Sequence, residues 1–387
     1  MSRLHTSNTV SLLCDGAAFF PALLTALDHA QHEIHLETYI FRMDGTGQRI
    51  AEALMAAAAR GVRVCVLVDG FGSVDFPGDW LTRLRLAGVA FLFYRPEHLR
   101  WWPQRSRLRR LHRKLVVVDA RVAFIGGINL HDDRDNAGPS DAARYDYAVQ
   151  LEGGVVADIY HTMKTVWQRV QWFQGGGWDV PRLAVSTAAA GKQRARLVVR
   201  DNVRYRGAIE QAYLRQIQRA RHHIVIASAY FLPGLRIRHA LCAAAQRGVK
   251  VEILLQGRVD HAILHYATRM LYLDFLRSGI QLYEYQAGYM HAKVAVVDGV
   301  WATVGSSNID PFSLLLAREA NVVVLDSAFA RQLGTHLANK IATTALPVQP
   351  SRLLRASLPA RLVVWVSYGL VRAGISLTGY GGRFYQE

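Results

Sequence analysis

Acidic side chains are in short supply in this chain. Thirty Asp and Glu stand against 46 Lys and Arg in 387 residues, giving a formal net charge of +16 and a pI near 10.1. That balance predicts attraction to polyanions, either nucleic acid or an anionic lipid surface, without choosing between them. Cysteine is scarcer still. Cys14, Cys65 and Cys242 are scattered, odd in number and without metal-ligand spacing. They exclude a disulfide framework and read as core residues in a reducing compartment. Neither a metal constellation nor a cofactor motif is evident, so none is expected. Uninterrupted apolar runs of about 18 residues or more are missing, which argues against a transmembrane helix. The opening MSRLHTSNTVSLLCDG has no sustained apolar core before Asp15, so no secretory signal is expected. Charged residues at 20% beside 51% hydrophobic ones exclude a disordered chain. The place expected is the cytoplasmic face of the cell membrane, held peripherally.

Against these absences stands a repeated pattern. The first copy runs His112, Lys114, Asp119, then Gly126-Gly127-Ile128-Asn129. The second, about 180 residues on, runs His291, Lys293, Asp298, then Gly305-Ser306-Ser307-Asn308 with the same internal spacing. Each copy has a valine-rich background, Leu115 to Val118 and Val294 to Val297. His and Lys two apart on an extended strand point to the same side. A neutral imidazole can attack phosphorus, and an imidazolium can protonate a leaving alkoxide. The ammonium beside it neutralises phosphate oxygens. The glycine turn, Gly127 in one copy and Ser306 in the other, lets backbone approach a phosphate, and Asn129 and Asn308 supply amide donors. Two copies facing each other provide a nucleophile and a general acid on opposite sides of one phosphodiester. Of the six motif residues, Asp119 and Asp298 read as structural rather than as groups that touch substrate. The remaining histidines, such as His32, His35, His222 and His223, read as structural or surface groups.

These paired motifs resemble those of the phospholipase D superfamily. Further phrases, Glu37 to Phe41, Gly61 to Ser73, Asp146 to Gly153 and Trp301 to Leu314, are similar to bacterial cardiolipin synthases of the B-type, which lack amino-terminal membrane spans. The likeness covers roughly residues 10–345. It implies that an acidic residue downstream of each glycine turn orients each histidine, and the matching positions here are Asp146 and Glu319. A carboxylate on the second imidazole nitrogen fixes the tautomer and stabilises imidazolium. Where the family has Gly-Ser, the first copy has Gly127 in place of the serine. The resemblance assigns the nucleophile to His112.

The chain reads as an α/β tandem of two phospholipase D-like α/β/α lobes, pseudo-symmetric, with the active site between them. The first lobe is expected over residues 1–185, the second over 196–345, and a basic, apolar tail over 346–387. Helical patterns at 17–32 and 207–222 lead into strands at Ile34 to Phe41 and Ile224 to Phe231. Second helices, Gln48 to Arg60 and Leu235 to Arg247, stop at Gly61 and Gly248 before Val-rich strands. Val155 to Phe173 reads as an amphipathic helix, and the join falls in 174–196.

Two segments suit a membrane. In 98–113, Trp101 and Trp102 sit beside six arginines, a composition fitted to a headgroup interface and also to single-stranded nucleic acid. In the tail, the apolar run Leu362 to Leu370 is bracketed by Arg361 and Arg372 and is too short to span. The function expected from the resemblance is cardiolipin synthesis at an anionic phospholipid membrane. The donor would be phosphatidylglycerol, with phosphatidylethanolamine as the alternative, and the intermediate a phosphatidyl-histidine. The rival is a phosphodiesterase hydrolysing lipid or single-stranded nucleic acid. Nucleic acid is disfavoured because small nucleases of the superfamily carry one motif per chain.

Overall fold

The computed structural model describes residues 3–96, 109–134, 142–176, 183–185, 188–201, 204–355 and 357–377. The first half runs β1 (His5–Cys14), α1 (Asp15–Asp28), β2 (Glu33–Thr38), α2 (Gly45–Ala59), β3 (Arg63–Asp69), α3 (Gly78–Leu86), β4 (Ala90–Tyr94), β5 (Leu115–Val118), β6 (Val122–Gly126), β7 (Ala142–Tyr145), β8 (Tyr147–Gly153) and α4 (Val155–Phe173). The second half runs β9 (Gln193–Arg200), α5 (Ala208–Arg219), β10 (His223–Ser228), α6 (Leu235–Gln246), β11 (Lys250–Gln256), α7 (Ala262–Arg269), α8 (Tyr272–Arg277), β12 (Gln281–Tyr285), β13 (Gly288–Met290), β14 (Lys293–Val297), β15 (Trp301–Gly305), α9 (Pro311–Leu315), β16 (Glu319–Leu325) and α10 (Ser327–Thr344). The tail adds β17 (Ala345–Pro347), α11 (Pro350–Leu354) and α12 (Leu358–Leu377).

The duplication read from the motifs reappears in the sheet. Its order, β17-β12-β11-β10-β14-β15-β16-β9-β1-β8-β6-β5-β2-β3-β4, is one series read from β12 and from β4, with β17 added at one edge. The two series meet where β1 pairs antiparallel with β9. In each half a parallel trio, β2-β3-β4 or β10-β11-β12, abuts the antiparallel strands that carry the motifs. Parallel strands covered on both faces are apolar throughout, and β3 shows why. Val64, Val66 and Val68 pack with α1 and α2, while Cys65 and Leu67 face Trp167 and Val170 of α4. A further core is shared between the halves, joining Val149 and Leu151 of β8, Met163 of α4, Val322 and Val324 of β16, and Leu333 of α10.

Local chemistry sets the element ends. Gly61 and Gly248 adopt φ of +87° and +88° just after α2 and α6, the left-handed stop that glycine tolerates. Asp44 accepts from Thr46 and Gly47 N–H, starting α2 ahead of the expected Gln48. The expected strand Ile34 to Phe41 ends at Thr38. Beyond it, Ile40 and Phe41 leave the ladder to pair with Asn129 and Leu130.

The tail is largely helical. Its apolar run lies within a 20-residue helix, α12, long and apolar enough by length and composition to cross a membrane. Val371 and Ile375 pack into the second lobe beside α7, whereas Leu358, Leu362, Trp365 and Leu370 stay exposed. Trp101 and Trp102 lie outside the described residues.

Candidate active site

The motif segments approach the lobe interface as short extended pieces that reach across it. His112 N–H donates to Arg318 O at 3.0 Å, and Arg318 N–H donates to Arg110 O at 2.7 Å. Symmetrically, β13 pairs with β7, and His291 N–H donates to Tyr145 O at 2.7 Å. Each approach is also fastened within its own lobe. The Asp69 carboxylate, at the end of β3, accepts from Leu111 N–H at 2.7 Å, and the Gln256 carboxamide, at the end of β11, accepts from Met290 N–H at 2.8 Å. Nothing local in the sequence marks either anchor: Asp69, within Gly61 to Ser73, braces a residue 42 positions further along the chain.

The crossing decides which carboxylate meets which histidine. His112 Nδ1 lies 2.9 Å from Glu319 Oε1, and His291 Nδ1 lies 2.8 Å from Asp146 Oδ2. Each imidazole is thus held by the acidic residue of the opposite lobe. Glu319 and Asp146 are buried, at 0% and 3% exposure, so neither is a surface carboxylate. Lys114 Nζ donates to His112 O at 2.8 Å, and Lys293 Nζ donates to His291 O. Asn129 and Asn308 turn their carboxamide oxygens to the N–H of Ile40 and Tyr230, at 3.2 and 3.5 Å, which leaves two N–H donors each. Tyr39 packs edge-on against His112, with ring centroids 4.8 Å apart, and Lys114 Nζ sits 5.3 Å over the Tyr39 ring.

Burial governs the electrostatics. Desolvation pulls Lys114 down to about 7 and Lys293 down to about 8, against the neighbouring carboxylates that favour their charge. It pushes Asp146 up to about 7, with Lys293 opposing. His112 falls below the usual imidazole range through desolvation, partly offset by Glu319. His291 falls well below it, through burial and then Lys293, Arg144, Lys114 and His112. The site therefore holds neutral imidazoles and lysines poised to titrate near neutrality.

Two expected roles change. Gly127 and Ser306 do not present their backbone N–H groups to a phosphate, because those groups donate to Tyr147 O at 2.9 Å and Ala320 O at 3.0 Å. The Ser306 hydroxyl donates to Glu319 Oε2. A Cβ on Gly127 would lie 2.4 Å from Asp146 Oδ1, so the missing side chain makes room for the carboxylate. Asp119 and Asp298 sit beyond the far ends of β5 and β14. Asp119 accepts from the N–H groups of Gln31, His32 and Glu33, and Asp298 from those of Arg221, His222 and His223, all at 2.8–2.9 Å. Burial would raise Asp298, but its three amide donors hold it below the usual range. Both aspartates have φ of +51°. They brace the strands and do not reach the histidines.

A family model described as cardiolipin synthase, PLD-like domain, matches residues 23–138 and 213–341, one match around each motif. Cardiolipin synthase B of Escherichia coli (strain K12) is 40% identical over 351 residues, covering 89% of this chain and 83% of that protein. The chain belongs to the bacterial cardiolipin synthase family. A probable cardiolipin synthase of Bacillus subtilis (strain 168) is 30% identical over 334 residues, 86% of this chain and 66% of that protein. The fold is also that of the phosphatidylserine synthase of Haemophilus influenzae Rd KW20, at a TM-score of 0.71 and 14% identity over 96% of both chains. Within this cardiolipin synthase family member, the described residues contain no group of three or more His, Cys, Asp or Glu able to hold a metal ion.

Proposed function

We propose that this protein is a phosphatidyltransferase that makes cardiolipin and glycerol from two phosphatidylglycerol molecules. The observation that carries the mechanism is the exchanged pairing of histidines and carboxylates, which gives the two imidazoles different support. Glu319 accepts its second hydrogen bond from the Ser306 hydroxyl, whereas Asp146, opposite a glycine, accepts its second from the Tyr147 backbone N–H at 2.8 Å. On His112, a carboxylate accepting from Nδ1–H leaves the Nε2 lone pair for attack. On His291, an Asp146 carboxyl that keeps its proton to about 7 donates to Nδ1 and places hydrogen on Nε2. That tautomer is a proton donor.

The steps follow from this asymmetry. His112 Nε2 bonds to the phosphorus of one phosphatidylglycerol as the bond from phosphorus to the headgroup glycerol oxygen breaks. The departing oxygen takes the proton of His291 Nε2 while the Asp146 carboxyl passes its own proton to Nδ1, so the imidazole stays neutral and Asp146 becomes the carboxylate. The primary hydroxyl of a second phosphatidylglycerol then gives its proton to His291 Nε2 as the Nδ1 proton returns to Asp146, and it bonds to phosphorus while the phosphorus–nitrogen bond breaks and frees His112. Lys114, Lys293, Asn129 and Asn308 hold the non-bridging oxygens throughout. Bonds broken and formed are alike in kind, so the exchange needs no nucleotide.

The protein acts at an anionic phospholipid surface, with α12 lying in the interface on the cytoplasmic side. Leu358, Leu362, Val363, Trp365, Val366 and Leu370 are exposed along α12, and Arg361 and Arg372 lie among them. Apolar and aromatic residues beside arginine suit the boundary between acyl chains and headgroups. The packing of Val371 and Ile375 on the body favours a helix lying flat over one that crosses.

The deciding experiment incubates purified protein with vesicles of labelled phosphatidylglycerol and excess chelator, then measures cardiolipin and released glycerol. Equal amounts of both are expected from the wild type, and neither from His112→Ala or His291→Ala. Phosphatidic acid as the only product would overturn transfer in favour of hydrolysis.

A further inference from the structure

Arg113 sits between His112 and Lys114, so on an extended segment its side chain turns to the other face. There it donates to Glu37 Oε2 at 2.6 Å, and its buried Nε has no hydrogen-bond partner among the described residues. Arg113 and Arg318 help line a cavity of about 540 Å3 that takes its lining from both lobes. One turn after another of α4 faces it through Asp158, Thr162, Thr165 and Arg169. Ala208, Ala212 and Arg215 of α5 also line it, at helical spacing, with Arg196, Leu197 and Val199 of β9. The size falls within that of small-molecule pockets, roughly 300–1,000 Å3.

The lining is strongly one-sided in charge. Six arginines (Arg113, Arg169, Arg196, Arg204, Arg215 and Arg318) face two aspartates. Both aspartates already have partners. Asp158 pairs with His5 at 3.0 Å, and Asp201 accepts from the N–H groups of Arg204 and Tyr205. Arg169, Arg196 and Arg204 form no ion pair among the described residues, and the buried Nε of Arg196 has no partner there. Burial and the like charge of Arg215 both depress Arg196. Guanidinium groups gathered this way, with threonine and tyrosine hydroxyls beside them, match the geometry of phosphate oxygens.

We propose that this cavity is a second anion site, separate from the catalytic phosphate site, which binds a phosphate-bearing ligand. The ligand is either a phospholipid headgroup or free phosphate, and the chemistry of recognition is shared. Occupancy bears on the reaction through the backbone. Arg318 adjoins Glu319 and Arg113 adjoins His112, and the two segments are joined by the bond from His112 N–H to Arg318 O. A ligand drawn to those guanidinium groups acts on the pair that orients the nucleophile.

The test is equilibrium binding of radiolabelled inorganic phosphate to the full-length protein, which needs no transfer activity and so stands apart from the lipid product assay. Wild type is expected to bind two phosphates. Lys114→Ala/Lys293→Ala should lose the catalytic one. Arg169→Ala/Arg196→Ala should weaken the other by at least about tenfold, since each charge-assisted contact accounts for about a factor of ten. Arg169→Lys/Arg196→Lys should recover part of the loss, which separates charge from misfolding. Dihexanoyl phosphatidylglycerol below its micelle concentration identifies the source: displacement of phosphate from the lysine variant assigns a lipid headgroup, and retention assigns free phosphate. Wild-type stoichiometry and affinity in both arginine variants would overturn the proposal.

Discussion

Gly127 and Ser306 hold equivalent positions in the two copies and differ because their carboxylate partners differ. Asp146 fills the space a side chain at 127 would need, with 2.4 Å between a Cβ and its Oδ1. Gly127→Ser, which writes the second copy's residue into the first, should therefore lower transfer at least about tenfold by displacing Asp146. It should also cost about 1–3 kcal/mol in chemical denaturation as overpacking. Wild-type activity in this variant would mean that Asp146 does not position His291. The lysines set a second expectation. With Lys114 at about 7 and Lys293 at about 8 in the free protein, charge is present below those values and lost above them. kcat/KM should fall as pH rises through roughly 7–8, and the alkaline limb of kcat should lie higher because bound phosphate favours the ammonium. A kcat/KM flat from pH 7 to 9 would remove the lysines from phosphate binding.

At the scale of elements, the motif strand is braced at both ends. Asp69 or Gln256 holds the approach to each histidine, and Asp119 or Asp298 ties the far end to three amides of the preceding turn. Asp119→Ala should cost about 1 kcal/mol of stability, as a charged acceptor lost from three amides, two of them exposed and able to turn to water. Its effect on kcat should be far smaller than that of His112→Ala, and denaturation and kinetics on the same variant separate the two. For α12, Leu362→Glu/Trp365→Glu should weaken sedimentation with anionic vesicles at least about tenfold, because each apolar side chain transfers roughly 1.5–3 kcal/mol. Unchanged sedimentation would remove α12 from the interface. The helices α2, α4, α5 and α6 were legible from their periodicity and glycine stops. The length of α12 was not, since Arg361 and Arg372 interrupt its apolar run while leaving the backbone pattern intact.

At the scale of the whole molecule, one sheet and one shared core make the lobes a single body. Leu333 of α10 is fully buried in that core, against residues of both halves. Leu333→Ala should cost about 2–5 kcal/mol. Hydrogen exchange should show the loss in β8 as well as in β16, whereas protection lost in the second half alone would mean that the lobes unfold separately. The net charge of +16 predicts attraction to anionic surfaces that weakens as salt screens it.

By itself the sequence determined the duplication, the α/β class and the chemistry-bearing residues, because spacing and residue type are local properties repeated in register. His112, Lys114, His291 and Lys293 were legible as a candidate phosphate site for that reason, and Asp146 and Glu319 as candidate partners of the histidines through family resemblance. Only the tertiary structure decided which carboxylate serves which histidine, which amides were already occupied, and that arginines from α4, β9 and α5 surround one cavity. Those outcomes depend on contacts between residues far apart along the chain, whose partners are chosen when the two halves pack and not by any spacing within either half.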